Sequence, residues 1–303
     1  MKKRTRKSTK DFRNKVVRTK EGVIYADMHT HTVYSDGLNT LDTVKRIIAE
    51  RGIHIAVTDH NAIKGSLLLS KTKKYRDKII PGIEVGTKEK FHALFYFYDF
   101  KSMNAFYEKE IKKFRNRDPG LATKRTVRDL LDVKEKYNAI SCIPHPYSPF
   151  SGGIMKKVKR GVVEHSILDE FDWVEAINSI QTVHENIQSK RLATHLRKPH
   201  TAGSDSHDVQ TLGKALTYGK ADDLESFYKM MFKQKNQIAG VHLSNIRKAV
   251  MGAKLASVHV KHLGPFLGYY AKDTMSELDY YGHFIEHVMQ KKLKRVERRV
   301  FKR

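Results

Sequence analysis

Seven short apolar runs recur along this chain between Val23 and Gly203, and most of them end in or begin at a His, Asp or Glu. The runs are Val23–Met28, His54–Thr58, Ile79–Val85, His92–Phe97, Ala139–Pro144, Trp173–Ile177 and Pro199–Gly203, with amphipathic stretches such as Thr40–Arg51 between several of them. Strand-length apolar runs alternating with helical patterns predict βα units around a parallel sheet. A basic, helix-prone insert between Phe97 and Ala139 interrupts the rhythm with Lys112, Lys113, Arg115, Arg117, Lys124, Arg125 and Arg128. After Gly203 the chain turns largely helical.

At 303 residues and 40% hydrophobic content the chain can bury a full core, and its length fits one large α/β domain with an appendage. The charge is less ordinary: 58 Lys plus Arg against 33 Asp plus Glu leave a formal net charge of +25, which points to a polyanionic partner. Cys142 is the one cysteine, so no intrachain disulfide is expected and a cytoplasmic location is. The basic stretch Met1 to Lys20 lacks the apolar run of a signal peptide, and no segment reaches the ~20 apolar residues that span a bilayer. In Ser276 to Arg303, Ile285, Met289, Leu293, Val296 and Val300 share one helical stripe opposite Lys and Arg. That predicts a docked or self-associating helix, with a membrane-surface or nucleic-acid helix as the second reading.

The candidate chemistry begins at Asp27-Met28-His29-Thr30-His31-Thr32, straight after a predicted strand. Residues i and i+2 of an extended chain point the same way, so His29 and His31 can present two imidazoles to one metal ion. Asp36 follows in the Ser35-Asp36-Gly37 turn. Asp59 and His60 end the second run, Glu84 lies near the end of the third, His92 opens the fourth, His145 follows the fifth, and Asp205 and His207 follow the last. Taken singly these are ordinary: a turn-forming Asp, a loop His, a Glu paired with a lysine. Polar residues repeated at strand carboxyl ends instead face the catalytic mouth of a parallel barrel.

These residues resemble the motifs of the polymerase and histidinol phosphatase (PHP) superfamily of metal-dependent phosphoesterases. Four motifs match in order over about residues 24 to 207: His29-Thr30-His31, Thr58-Asp59-His60, Ile143-Pro144-His145-Pro146 and Gly203-Ser204-Asp205-Ser206-His207, with Gly82-Ile83-Glu84 between the second and third. The resemblance implies an α/β fold, a distorted (β/α)7 TIM-like barrel with a helical C-terminal extension. It also implies two or three divalent ions, with manganese, zinc or iron open. By that pattern His29, His31, Glu84 and Asp205 surround one ion, Glu84 bridges to a second held by His92 and His145, and Asp36, His60 and His207 hold a third. Asp59 stands beside the ligands, orienting one or relaying a proton, and Asp59, His60 and Glu84 are the residues expected to carry the reaction.

The expected layout is a basic tail over residues 1–22, the barrel over 23–212 with the insert at about 98–138, a PHP-associated region over 213–256 and a basic helical extension over 257–303. Within the associated region, Ala215 to Gly240 reads as strand, helix, strand. The expected reaction is hydrolysis of a phosphate ester, and the charge and the basic insert favour nucleotides or nucleic acid as substrate. Tyr96, Phe97, Tyr98, Phe100, Phe106 and Tyr107 could stack on bases, although strand core and helix packing account for them more simply. The loop Tyr147 to Gly153 with Lys156, Lys157, Lys159 and Arg160 reads as a phosphate rim or as a surface connection. Two alternatives stand beside this: a small-molecule phosphatase of the histidinol-phosphate type, and a non-catalytic metal-binding regulatory module.

Overall fold

The structure is a computed structural model that describes residues 20–148, 152–244, 247–248 and 251. The helix expected at Ser276 to Arg303, most of the basic tail and residues 149–151 lie outside the described residues.

Among the described residues nine strands form one sheet: β1 Val23–Thr30, β2 His54–Val57, β3 Ile79–Gly86, β4 His92–Phe97, β5 Ala139–Ile143, β6 Trp173–Asn178, β7 His200–Gly203, β8 Ala215–Lys220 and β9 Gln237–Gly240. Their order is β7-β6-β5-β4-β3-β2-β1-β8-β9. The helices are α1 Leu41–Arg51, α2 Lys64–Ser70, α3 Lys73–Arg76, α4 Phe100–Phe106, α5 Val127–Val133, α6 Ile154–Lys159, α7 Ile167–Glu170, α8 Val183–His195 and α9 Leu224–Phe232.

The first seven strands curl into a nearly closed barrel. The amide of Asp205 donates to the carbonyl of His29 at 2.8 Å and the amide of His31 to that of Ser206 at 2.9 Å, which brings the end of β7 back against β1. Gly203 makes this approach possible: a Cβ there would stand 2.3 Å from the Cβ of His29 and 2.7 Å from Oε1 of Glu175. The seven expected runs all form strands, but not all of them are parallel. β4 is antiparallel to both β3 and β5, and β8 is antiparallel to β1. The reason for the first is local, because residues 87–91 are too few for the crossover of a dozen or more residues that a parallel pair needs.

Helix boundaries follow from capping chemistry. Thr40 accepts from the amide of Thr43 at the start of α1, Gly52 closes it in the left-handed region (φ 64°), and Val44, Ile47 and Ile48 make its buried stripe. Inside the barrel Ile24, Ala26, Met28, Ala56, Leu94, Tyr96 and Trp173 pack together, and α9 adds Phe227, Tyr228 and Met231 to the same cluster. The hydroxyl of Tyr228 donates to the carbonyl of Phe97 at 3.3 Å. α9 therefore closes the end of the barrel where β1 and β6 begin, and the expected strand, helix, strand of Ala215 to Gly240 supplies that floor. No helix among the described residues is long and apolar enough to cross a membrane.

Candidate metal centre

All nine candidate ligands converge at the open end of the barrel. Glu84, nearly fully buried, is the pivot, and its two oxygens face different partners. Oε1 lies 3.0 Å from Nδ1 of His92 and 3.1 Å from Nε2 of His145, while Oε2 lies 3.0 Å from Nδ1 of His60 and 3.3 Å from Nε2 of both His29 and His31. Asp205 Oδ1 approaches His31 Nε2 at 3.2 Å and His29 Nε2 at 3.6 Å. Asp36 Oδ2 meets His207 Nε2 at 3.2 Å and His60 Nε2 at 3.5 Å. His60 thus stands between Glu84 and Asp36, so its ring can serve either of two groups: His31, Asp36, His60 and His207, or His60, Glu84 and His92.

These spacings suit divalent ions. Nε2 of His29 and of His31 are 3.1 Å apart, and each lies 3.2 to 3.6 Å from both Glu84 Oε2 and Asp205 Oδ1. Ligands about 2.1 Å from one ion are separated by roughly 3.0–3.4 Å. Glu84 Oε2 and His92 Nδ1, which both face the centre, also have no hydrogen bond of normal geometry despite burial. Buried polar atoms are normally satisfied, and coordination would satisfy these.

Protonation is arranged to match. His29 Nδ1 pairs with Glu175 Oε1 at 3.0 Å and His207 Nδ1 with the carbonyl of Asp205 at 2.9 Å, so Nδ1 donates outward and Nε2 of each ring faces the centre. Burial drives the His60 ring down to about 3 against the pull of Glu84 and Asp36, so it is neutral at pH 7. Burial would raise the Glu84 carboxyl, but the imidazoles of His60, His92 and His29 outweigh it and hold the group well below its ordinary value.

Around the centre lies a supporting layer. Asp59 accepts from the Thr32 amide (2.6 Å), the Thr32 hydroxyl (2.7 Å) and the Ser35 hydroxyl (2.8 Å), so it fixes the loop that carries His31 and Asp36. Glu175 and Asp27 had no assigned role in the sequence. Glu175 Oε2 accepts from the His145 amide at 2.8 Å and from Asn178 Nδ2 at 2.9 Å, and that Asn178 amide also reaches Asp205 at 3.1 Å. Asp27 accepts from the Ser204 amide and hydroxyl and from the Gly213 amide, and burial pushes its carboxyl up to about 6. A signal existed for both: Glu175 is an acid inside an apolar strand, and Asp27 shares a strand face with His29. Asn61, His145 and Asp205 all have positive φ (47°, 26° and 52°), local strain held at the pocket wall.

The rim is mixed. Gly152 (φ 73°) lies against His92 and His145, where a Cβ would come within 2.5 Å of His92 Nδ1. None of Lys156, Lys157, Lys159 and Arg160 is without a partner, so that stretch carries no free cation rim. The basic insert reaches the mouth beside His60, since Asn61 Nδ2 donates to the carbonyls of Pro119 (2.7 Å) and Leu121 (2.9 Å) and Arg115 donates to the carbonyl of Asn61 at 3.4 Å. Of the aromatics, Tyr96, Phe97 and Phe106 are core, and Tyr98 is exposed.

The chain matches the family model described as PHP-associated over residues 183–230, a stretch that contains Asp205 and His207. An uncharacterized protein of Methanocaldococcus jannaschii is 27% identical over 137 residues, 41% of this chain and 68% of that one. Among solved structures, Endonuclease Q in complex with a 27-mer duplex bearing an abasic lesion is similar in fold (TM-score 0.57, 17% identity, 73% of this chain). So is the lesion-specific endonuclease of Pyrococcus furiosus (0.56, 18%, 71%), and so is PsfC of Pseudomonas syringae (0.54, 16%, 78%). The chain spans 60% and 57% of the two endonuclease chains and 99% of PsfC. Residues 183–230 therefore carry a PHP-associated segment, and the nearly closed barrel around them shares its fold with these three structures.

Proposed function

We propose that this protein is a metal-dependent phosphoesterase acting on nucleic acid or nucleotides. The observation that carries the reading is Glu84, whose two buried oxygens each face a separate set of imidazoles, as a carboxylate shared between two ions would. His29, His31, Glu84 and Asp205 would hold one ion, Glu84, His92 and His145 a second, and Asp36, His60 and His207 a third, with His60 placed to shift between groups. Imidazole and carboxylate together suit manganese, zinc or iron. When bound, such ions neutralise phosphoryl oxygens and bring the pKa of a water down to roughly 7.

The chain's own groups do the rest. Glu175 holds the His29 ring and the His145 backbone in place, and Asp59 holds the loop bearing His31 and Asp36. Arg115, bonded to the carbonyl of Asn61, stands at the mouth beside His60, where a substrate's flanking phosphates would meet it. The duplex-bound structure similar in fold and the net charge of +25 favour a polyanionic substrate over a small one. Metal analysis of the purified protein, followed by a screen of phosphomonoesters, phosphodiesters and labelled oligonucleotides with manganese, tests the proposal. Stoichiometric metal with hydrolysis lost in His145→Ala is expected. Metal bound without hydrolysis of any ester would favour a regulatory module.

A further inference from the structure

At the opposite end of the barrel the chain carries a second concentration of positive charge that the metal centre does not use. A cavity of about 670 Å³ opens where β1 begins, β8 ends and α9 crosses the floor. Lys20, Lys220, Lys229, Lys233 and Lys235 line it, and none of its lining residues is acidic. Lys229 is tied to Glu225 at 2.6 Å, whereas Lys20, Lys220, Lys233 and Lys235 are exposed and have no ion-pair partner among the described residues. One wall is aromatic: Tyr25 and Tyr218, paired across β1 and β8, stack at 5.2 Å with their planes 12° apart.

Four unpaired ammonium groups around one concavity repel each other, and an anion bound among them relieves that repulsion. The residue type narrows the ligand. Every cation is lysine, a flexible point charge without the planar fork by which arginine reads one carboxylate or phosphate. No lining atom is a buried polar group left without a partner, as a site shaped around one small anion would have. Mobile ammonium groups spread over an open concavity suit a row of phosphates whose register does not matter.

We propose that this cavity is a second nucleic-acid contact, in which Lys20, Lys220, Lys233 and Lys235 neutralise the sugar–phosphate backbone of a strand remote from the metal centre. The inference rests on the nucleic-acid reading above for its choice of ligand. From Val23 to His29 the strand climbs roughly 20 Å, so only a polymer can touch both ends of the barrel at once. A long substrate engages both regions and a short one engages only one.

The test uses the full chain and a labelled duplex of about 30 base pairs, without added metal, over a salt series. Replacing Lys20, Lys220, Lys233 and Lys235 together by Gln should weaken binding at least about tenfold at low salt and shorten the log–log salt slope by about 3 to 4. A matched control, Lys71, Lys73, Lys74 and Arg76 to Gln, removes four charges around α3 and should cost less than about threefold. Equal losses in the two variants overturn the proposal, and so does a wild-type chain that binds pyrophosphate but no duplex. Acetylation footprinting of the wild type needs no variant: duplex should shield the four cavity lysines and leave Lys71, Lys73 and Lys74 open, and unshielded cavity lysines overturn it too. Failure of the metal centre reads separately, as absence of ester hydrolysis by the wild type with manganese.

Discussion

Glu175 and His29 are joined by a 3.0 Å hydrogen bond between a buried carboxylate and Nδ1 of a buried imidazole, and the same carboxylate also holds the backbone amide of His145. One side chain on β6 thereby orients one candidate ligand near the end of β1 and another just after β5. Glu175→Gln keeps the shape but removes the charge and lets the amide donate where the imidazole must. It should lower metal affinity about 10- to 100-fold, measured by competition with a chelator. Unchanged affinity would show that Glu175 is a packing residue.

Occupancy of the centre should govern stability. With metal at about one hundred times its dissociation constant, the folded state gains about 2.7 kcal/mol, and chelation should remove it. His145→Ala and Asp205→Ala should each shrink the metal-dependent rise in melting temperature. A melting curve indifferent to manganese, zinc and chelator would refute coordination by these groups.

Gly203→Ala tests the barrel closure. Its new methyl would stand 2.3 Å from the Cβ of His29, and overpacking of this kind costs about 1–3 kcal/mol. The melting temperature should fall by several degrees and metal affinity should fall with it, because the displaced residue is a candidate ligand. Calorimetry with and without metal reads both effects.

His54, at the start of β2, supplies a pH prediction away from the centre. Burial, with a smaller contribution from Lys78, lowers its ring from 6.5 to about 3. In the unfolded chain the ring takes up a proton below about 6.5, and in the folded chain it does not until about 3. Stability is therefore fully present above pH 6.5 and lost as pH falls toward 3, by on the order of 1–2 kcal/mol between pH 7 and 5. His54→Leu should remove that part of the acid sensitivity, read as the difference in urea midpoint at the two pH values. Equal acid losses in wild type and variant would show that His54 does not contribute.

Much of the centre was legible because its residue types sit where apolar runs end, a placement that follows from barrel geometry alone. Which atoms share an ion was not legible. His60 faces both Glu84 and Asp36 because the loop after β2 leans between two others, a three-dimensional fact. The antiparallel entry of β4 was written in the few residues between Gly86 and His92, yet apolar alternation carries no strand direction, so a parallel sheet was expected. Glu175 escaped notice because no polar cluster surrounds it in the sequence, and its partners come from residues 29, 145 and 178. The aromatic residues of β4 behaved as their alternation suggests, with Tyr96 turned into the barrel beside Trp173 and Phe97 outward against Phe106.

α9 stoppers the barrel with Phe227, Tyr228 and Met231, so the pocket has a sealed base beneath its ring of imidazoles and carboxylates. Among the described residues that base offers no way through, so entry and departure share the open end. For a phosphoesterase working there, released phosphate must retreat along the route by which the next ester arrives, and the two compete for the same corridor.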